Sequence, residues 1–325
     1  MIRYSLTLGM ASLFVASTCF AQSAWKPEHN VEFMTGTAAG GALDRNARLI
    51  QSIIQQRGWV NVPFTVVNKS GGGGAVSWAY MNLRPGDGHY LSLASIVLMT
   101  NKITGANPIT YTDLTPIVHL MSEYQAMAVR ADSPLKTGKE LIDRLRTDPT
   151  SVTFGLGTPR GGSSHISISL LAKAAGIDAR KLRFAVFKSG GDAAVALLGG
   201  HVDIVASSAN NYVRHVESGK MRILGVAAPQ RLNDGFANIP TWREQGFDAV
   251  FANWRGIYGP RGLGTEQIAY WEDVFAKIVE TDEWKQELRR NLSVPTFMRH
   301  KEMSGFLNAN YLQFHEILSE LGYAK

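Results

Sequence analysis

Cysteine is almost absent from this chain. Its 325 residues hold one, Cys19, and that one lies in the N-terminal stretch. No disulfide can form within the chain, so the fold rests on its apolar core. Charge is sparse as well. Asp, Glu, Lys and Arg make up 18% of the residues, the net charge is +6, and there is no run of five basic residues. That excludes a nucleic-acid footprint and leaves a mild attraction for anions. The eight histidines are scattered, with no His-Glu-x-x-His pair, so no metal site is expected. No Gly-x-Ser-x-Gly elbow occurs, and Gly71–Gly74 lacks the lysine and hydroxyl residue of a nucleotide P-loop. Gly155-Leu156-Gly157 opens like a dinucleotide fingerprint, but Arg160 stands at the third glycine position. After the N-terminus no stretch is apolar enough to span a bilayer.

What is present starts with that N-terminus. Arg3 is the only charge before Lys26, and a weakly polar stretch runs from Leu6 to Phe20. Small residues at the first and third positions of Cys19-Phe20-Ala21 fit a signal peptidase cutting after Ala21. Residues 1–21 therefore read as a cleaved export signal, with a membrane anchor or a lipidated Cys19 as the alternatives. Some 300 mature residues remain, a length that usually makes two domains. Asn68-Lys69-Ser70 and Asn291-Leu292-Ser293 match glycosylation sequons, read as coincidence behind a bacterial-type export signal.

The mature part alternates short apolar runs with helical stretches. Strands are predicted at Val31–Met34, Phe64–Val67 and Tyr90–Ser95, with helices at Asp44–Arg57 and Ala75–Leu83 between them. That order argues a parallel, doubly wound sheet. The pattern then restarts. Strands are expected at Ala126–Arg130, Val152–Gly155, Phe184–Phe187, Val202–Ala206 and Met221–Val226. Helices are expected at Thr137–Arg146, Ser163–Ala175, Asp192–Leu198 and Asn211–Ser218. The C-terminal part reads as helical, at Thr265–Val279, Glu283–Asn291 and Lys301–Leu321.

Glycines cluster where strands hand over to helices: Gly36, Gly40 and Gly41; Gly71–Gly74; Gly155, Gly157, Gly161 and Gly162; Gly190 and Gly191. Open α/β sheets bind ligands at the carboxyl ends of their strands. There a glycine lets backbone N–H groups come close, and the next helix aims its positive end at the same place. Four such loops point to an anion-sized ligand held largely by backbone donors. The plainer alternative, for each loop taken alone, is a tight turn.

In this setting several motifs resemble the binding proteins of tripartite tricarboxylate transporters, the Bug-type family. Ala38-Ala39-Gly40-Gly41 with Asp44, Arg45 and Arg48 resembles its first ligand loop. Val66 through Gly74, Pro85-Gly86-Asp87-Gly88, Thr115-Pro116-Ile117 and Asp132-Ser133-Pro134 follow in order. So do Gly155-Leu156-Gly157 with Ser163-Ser164-His165, Ser189 through Ala194, Leu197 through Asp203, and Ser218 through Leu224. Ile239-Pro240-Thr241, Glu244-Gln245-Gly246 and Asn253-Trp254-Arg255-Gly256 complete the set.

The resemblance implies an α/β type II periplasmic-binding fold, two doubly wound lobes joined by a two-segment hinge. Lobe 1 would hold residues 22–125 and 250–325, lobe 2 residues 126–249, with crossings near Gln125–Val129 and Val250–Trp254. It implies a periplasmic, monomeric receptor. Such a receptor would capture a small organic carboxylate and hand it to membrane permease subunits, without a cofactor or catalytic residues. A sensor subunit serving a signalling partner, or a cleft hydrolase or lyase, are the alternatives. The ligand would be met by Thr37, Ala38, Ala39, Gly40, Gly41, Asp44 and Asn68 in lobe 1. Lobe 2 would contribute Thr158, Ser163, Ser164, His165, Gly190, Gly191, Asp192, Ser207 and Asn210, with Trp254 at the hinge.

Several of these carry two readings. Asp44 can cap a helix or touch ligand, and the cap is favoured. His165, at a helix start, reads as a neutral donor that orients its loop or touches ligand, with a local contact as the alternative. Trp254 can wall the pocket or pack the hinge. Arg255 can clamp a carboxylate or form a structural ion pair, and the pair is favoured. Two departures from the family pattern stand out. No proline precedes Gly40-Gly41, and Ala206-Ser207-Ser208 stands where many members carry a carboxylate, which favours a plain carboxylate over an amino acid. The export reading has a direct check. Mass spectrometry of the periplasmic protein is expected to find a chain beginning at Gln22, and an intact N-terminus or a lipidated Cys19 would contradict it.

Overall fold

The computed structural model describes residues 25–325; the expected signal, residues 1–21, lies outside them. β1 (Val31–Thr35) pairs in parallel with β2 (Phe64–Asn68) on one side and β3 (Tyr90–Ser95) on the other. Val31, Phe33, Met34 and Thr35 are all buried, as suits a strand covered on both faces. α1 (Ala42–Arg57) turns Ala47, Ile50, Ile53 and Ile54 inward and stops at Gly58, whose φ of 62° closes the helix in the left-handed region. α2 (Ala75–Asn82) joins β2 to β3, and α3 (Val97–Ile103) follows β3 almost without a loop.

One long strand, β4 (Thr115–Arg130), organises the rest. Up to Tyr124 it pairs antiparallel with β9 (Ala252–Gly259) and with β10 (Val294–Met298). From Gln125 on, its partners are β7 (Ile204–Ser208) and β8 (Met221–Val226). Beyond β7 lie the parallel strands β5 (Thr153–Leu156) and β6 (Arg183–Val186). The spatial order is β2-β1-β3-β9-β4-β7-β5-β6, with β8 and β10 also on β4. The chain returns beside this handover. Phe251 N–H donates to Ala227 O in the second half, while the next residue, Ala252, pairs with Tyr124 in the first. The α/β, two-half architecture expected from the sequence is thus present, with antiparallel β9 set between parallel β3 and the long β4.

Three strands and one helix escaped the sequence reading. The first part of β4, Thr115–Tyr124, contains Pro116 and the polar, buried His119 and Ser122. Its register with β9 shifts twice, which spoils the two-residue alternation. β9 carries Gly256 and Gly259, and β10 carries Pro295, all strand-weakening signals. Gly256 is small for a packing reason, since a Cβ there would lie 2.5 Å from Met303 Cε. α3 was hidden by its brevity.

The second half carries α4 (Gly138–Thr147), α5 (Ser163–Ala174), α6 (Gly190–Leu198) and α7 (Val213–Glu217), and the first half gains α8 (Thr265–Val279) and α9 (Asp282–Arg290). The last helix, α10 (His300–Glu320), touches both. It packs on β4 and α3, then reaches α5, where Lys173 Nζ meets Glu316 and Glu320 at 2.7 and 2.6 Å. One apolar cluster runs through it, from Met34, Trp78 and Tyr258 through Leu307, Phe314 and Leu318 to Phe154, Ile166 and Leu171. Gly305 is an exposed interior position of α10, with open space where a Cβ would stand. Gly305→Ala is expected to raise stability by roughly 0.5–1 kcal/mol in urea denaturation, because alanine loses less backbone entropy in a helix.

The cleft between the two halves as candidate functional site

Two strand-to-helix loops face each other across the handover. In the first half the β1–α1 loop, residues 36–41, is fixed from below by Asn68 at the end of β2. Its Nδ2 donates to Asp44 Oδ1 (2.8 Å), Thr37 O (3.1 Å) and Thr35 Oγ1 (3.0 Å). Asp44, 2% exposed, accepts from Gly40 N–H (2.8 Å) and Arg48 Nε (3.0 Å) through its other oxygen. The Arg48 hydrogen bond, with help from Gly40 and Asn68, outweighs burial and holds the Asp44 carboxyl down at about 2. Asp44 and Asn68 thus act as struts under the loop. The favoured reading of Asp44 as a cap of the helix amides is corrected: it stands inside the first turn of α1 and binds Gly40 N–H ahead of the helix, Arg48 and Asn68, not the first-turn amides.

The second half repeats the plan with other residues. His165 Nδ1 accepts from Gly161 N–H at 2.9 Å, and Thr158 Oγ1 accepts from Ser164 N–H at 3.2 Å. An accepting Nδ1 means a neutral ring protonated on Nε2. The expected donor role is therefore corrected: toward its loop His165 is an acceptor. Burial, and secondarily the Arg160 charge, push its pKa down to about 4. Phe184 and Tyr323 stand edge-on to its ring at 4.7 and 5.5 Å.

Glycine permits the loops to nest against their neighbours in both halves. A Cβ on Gly36 would lie 2.5 Å from Gly74 Cα, and one on Gly157 would lie 2.6 Å from Gly190 Cα. The helices that follow the two loops lack a side-chain cap, as do α2, α8 and α10. α4, α6 and α9 are capped by the side chains of Thr137, Ser189 and Thr281. α1 and α5 begin after Gly41 and Gly162, which bring no side-chain acceptor. In α5 the Ser164 N–H is already taken by Thr158 Oγ1, while the amides of Ala42, Leu43 and Asp44 in α1 and of Ser163 and His165 in α5 meet no side-chain acceptor and keep donor capacity for something else.

Between the loops lies a cleft of about 530 Å³. Thr37, Ala42, Leu43 and Gly73 line it from the first half, with Ser95, Ile96, Val97, Thr100, Asn101 and Thr104 from the β3–α3 corner. Thr158 through Ser163 line it from the second half, Asn253 and Arg255 from β9, and Tyr323 from the C-terminal segment. Arg255 is 5% exposed, and its Nη2 meets Glu123 Oε1 at 3.0 Å, so the ion-pair alternative holds. Asn253 Oδ1 also accepts from Arg255 Nη1 at 3.0 Å.

Of the residues expected at the ligand, Thr37, Thr158 and Ser163 line this cleft. Ala38, Ala39 and Gly40 are exposed on the rim, and Gly41 is half-buried just before α1. Asp44, Asn68, Ser164 and His165 sit beneath the loops. Gly190 lies against Ser207 and Asn211, whose Nδ2 donates to Ser207 Oγ at 2.6 Å. Gly191 is exposed, and Asp192 closes a cap with Ser189. Asn210 belongs to a small cavity beside Arg45 and Asn291. Trp254 is fully buried against His119 and Tyr258, so its hinge-packing alternative describes its place. The sequence reading missed the β3–α3 corner, Arg160 and Tyr323. It looked for glycine-rich loops, and that corner has none; only the general rule about strand ends pointed there.

Among the described residues no group of acidic, histidine or cysteine side chains could hold a metal ion. His119, buried in β4, donates from Nε2 to Met121 O (3.1 Å), and burial drives its pKa to about 4 as well. Both histidines are thus neutral in the folded chain and titrate near 6.5 when unfolded. Between pH 4 and 6.5 the unfolded chain binds more protons, so stability rises with pH across that window and is lost on acidification. Each histidine contributes about 1.4 kcal/mol per pH unit at most. Asp44 acts in a lower window, its stabilisation being lost from about pH 3.8 down to 2. Urea midpoints are expected to fall steeply from pH 6.5 to 4.5. His165→Asn, which keeps an acceptor near Nδ1 without the titration, should roughly halve that slope; an unchanged slope would mean that His165 is not held neutral.

A family model described as the tripartite tricarboxylate transporter family receptor matches residues 47–323. A curated relative from Cupriavidus necator, named a UPF0065 protein in the gbd 5' region, is 26% identical over 309 residues, 94% of this chain and 91% of its own. A TctC solute-binding protein from Polaromonas, solved without ligand, aligns with a TM-score of 0.80 at 26% identity, over 91% of this chain and 99% of its own. An R. palustris protein solved with adipate aligns with a TM-score of 0.73 at 23% identity, over 92% of this chain and 99% of its own. Its likeness speaks for the fold. With the type II periplasmic-binding architecture and the matched span together, the chain belongs to the tripartite tricarboxylate transporter receptor family, the TctC solute-binding proteins.

Proposed function

We propose that this receptor captures a small organic carboxylate in the cleft, by lobe closure in the periplasm, and delivers it to the permease subunits of a tripartite tricarboxylate-type transporter. The observation that carries the reading is the pair of helix starts, α1 and α5, that face one cleft with glycine N-caps. The cleft lining contains no Asp or Glu. A carboxylate placed there is met by backbone N–H groups and two positive helix ends. The R. palustris relative holding adipate supports the ligand class.

In this reading residues 22–125 and 250–325 form one lobe and 126–249 the other. They turn about β4 near Tyr124–Gln125 and about the segment entering β9. Closure expels water, lowers the local dielectric and strengthens each charge–dipole contact. It also moves Gly190, Gly191, Asp192, Ser207 and Asn210 towards the ligand, while Trp254 supports the floor from behind. The closed shape of a monomer is what the permease reads. Binding and release suffice, with no cofactor and no bond broken.

Isothermal titration against a panel of organic acids tests the ligand class; a folded protein that binds none of them would remove the reading. Gly41→Val should weaken binding at least tenfold, about 1.4 kcal/mol. Its Cβ would start 3.1 Å from Ala38 O and Thr37 Oγ1, so the larger side chain displaces the loop. Small-angle scattering at saturating ligand should show a smaller radius of gyration. Tight binding at constant radius would dismiss lobe closure.

A further inference from the structure

The charges on the cleft wall carry an inference that rests on the carboxylate-receptor reading and narrows it. The lining contains two cationic side chains, Arg255 and Arg160. They are not equivalent. Arg255 is nearly buried and neutralised by Glu123 at 3.0 Å, with Asn253 as a further partner. Arg160 sits on the loop that leads into α5, and it is exposed. Among the described residues no carboxylate lies within ion-pair distance of it. Its guanidinium carbon stands 5.3 Å from the centre of the Phe184 ring. A ring on one face of a guanidinium holds it in place and leaves its N–H edge free for a planar bidentate acceptor.

The floor adds a second sign of an awaited partner. Thr37 Oγ1 and Arg255 Nε, both on residues that line the cleft, have no hydrogen-bond partner. A buried donor without a partner is costly, and a ligand oxygen would relieve it.

Charge balance then selects the ligand. Each helix start offers about half a positive unit, so α1 and α5 together match roughly one carboxylate. Arg160 adds one whole unit that nothing in the cleft wall offsets. A monocarboxylate leaves that charge unanswered when closure removes its water. A dianion answers both. Ile96, Val97, Ala42 and Leu43 supply apolar wall for a short methylene chain.

We infer that Arg160 is the specificity-determining counter-ion for a second carboxylate, so that the receptor selects α,ω-dicarboxylates over monocarboxylates of the same length. Adipate and hexanoate share a six-carbon chain and differ in one carboxylate, which makes them the probes. By isothermal titration the wild type should bind adipate at least tenfold more tightly than hexanoate. Arg160→Gln should cost adipate at least tenfold more affinity than it costs hexanoate and bring the ratio near one. Arg160→Lys should recover part of the preference, and thermal melting should show all variants folded. A wild type that binds hexanoate as well as adipate, or an Arg160→Gln variant with an unaltered ratio, overturns the inference and leaves the carboxylate receptor standing. A wild type that binds no member of an organic-acid panel removes the receptor reading, and the inference with it.

Discussion

The molecule depends on one strand being shared. β4 supplies ladder hydrogen bonds to β9 and β10 up to Tyr124 and to β7 and β8 from Gln125. At about 3.3 Å per residue its 16 residues span roughly 50 Å, long enough to run through both halves. The two cores are therefore not independent spheres on a flexible linker. Their relative position is set by a few backbone torsions near one handover and by the return crossing at Phe251–Ala252. A polar group sits at that joint. Glu123, one residue before the handover, accepts from Arg255 on β9 (3.0 Å) and from Ser208 on β7 (3.2 Å). A carboxylate holding strands from both halves could trade partners under the proposed turning, which an apolar contact of fixed shape would do with more difficulty. α10 ties the halves together from behind, since its apolar face belongs to a cluster that reaches both.

From that joint the two loops follow as variations on one plan. Each lies at the carboxyl end of a strand, each precedes a helix capped by glycine, and each leans on a neighbouring glycine backbone. Backbone donors aimed outward need something rigid beneath them, and the halves meet that need differently. The first buries a charged carboxylate, Asp44, compensated by Arg48, Gly40 N–H and Asn68. The second buries a neutral imidazole, His165, satisfied by Gly161 N–H and enclosed by Phe184 and Tyr323. Both choices avoid an uncompensated charge below the loop, which in a low dielectric would be expensive.

How far the sequence showed this can be argued residue by residue. β1, β2 and β3, with α1 and α2, were legible because their apolar residues keep a clean period and their ends carry glycine. β8 and α8 were read to the residue for the same reason. The first part of β4 was not, because two register shifts and buried His119 and Ser122 hide its period. β9 was read as a crossing segment, and its role as a central strand follows from pairing across more than a hundred residues, which no local pattern encodes. The first-half loop was legible as a place, yet the work of Asn68 within it was not, since asparagine carries no mark of which carbonyls it will reach. His165 was found for its position and given the wrong polarity, because its tautomer is chosen by the Gly161 amide. Tyr323 lay beyond any motif; it reaches the cleft only because α10 ends where it does.

The electrostatics of the cleft tie these levels together. An arginine already paired with a glutamate is poor at drawing an anion from water, since the field of one largely cancels that of the other. It is well suited to be a floor, fixed in place and offering an unpartnered Nε. In the proposed receptor, capture would come from charges that are free before binding, namely the helix starts and a surface guanidinium. Such charges are weak while a cleft is wet, because water screens them, and would strengthen if the halves closed. A receptor working as proposed would gain most of its affinity in the closed form, which would tie occupancy to shape without any dedicated switch residue. The shared strand is compatible with that proposal, because a turn about it would bring the wall of free charge on one half toward the open helix on the other while both sheets stayed intact.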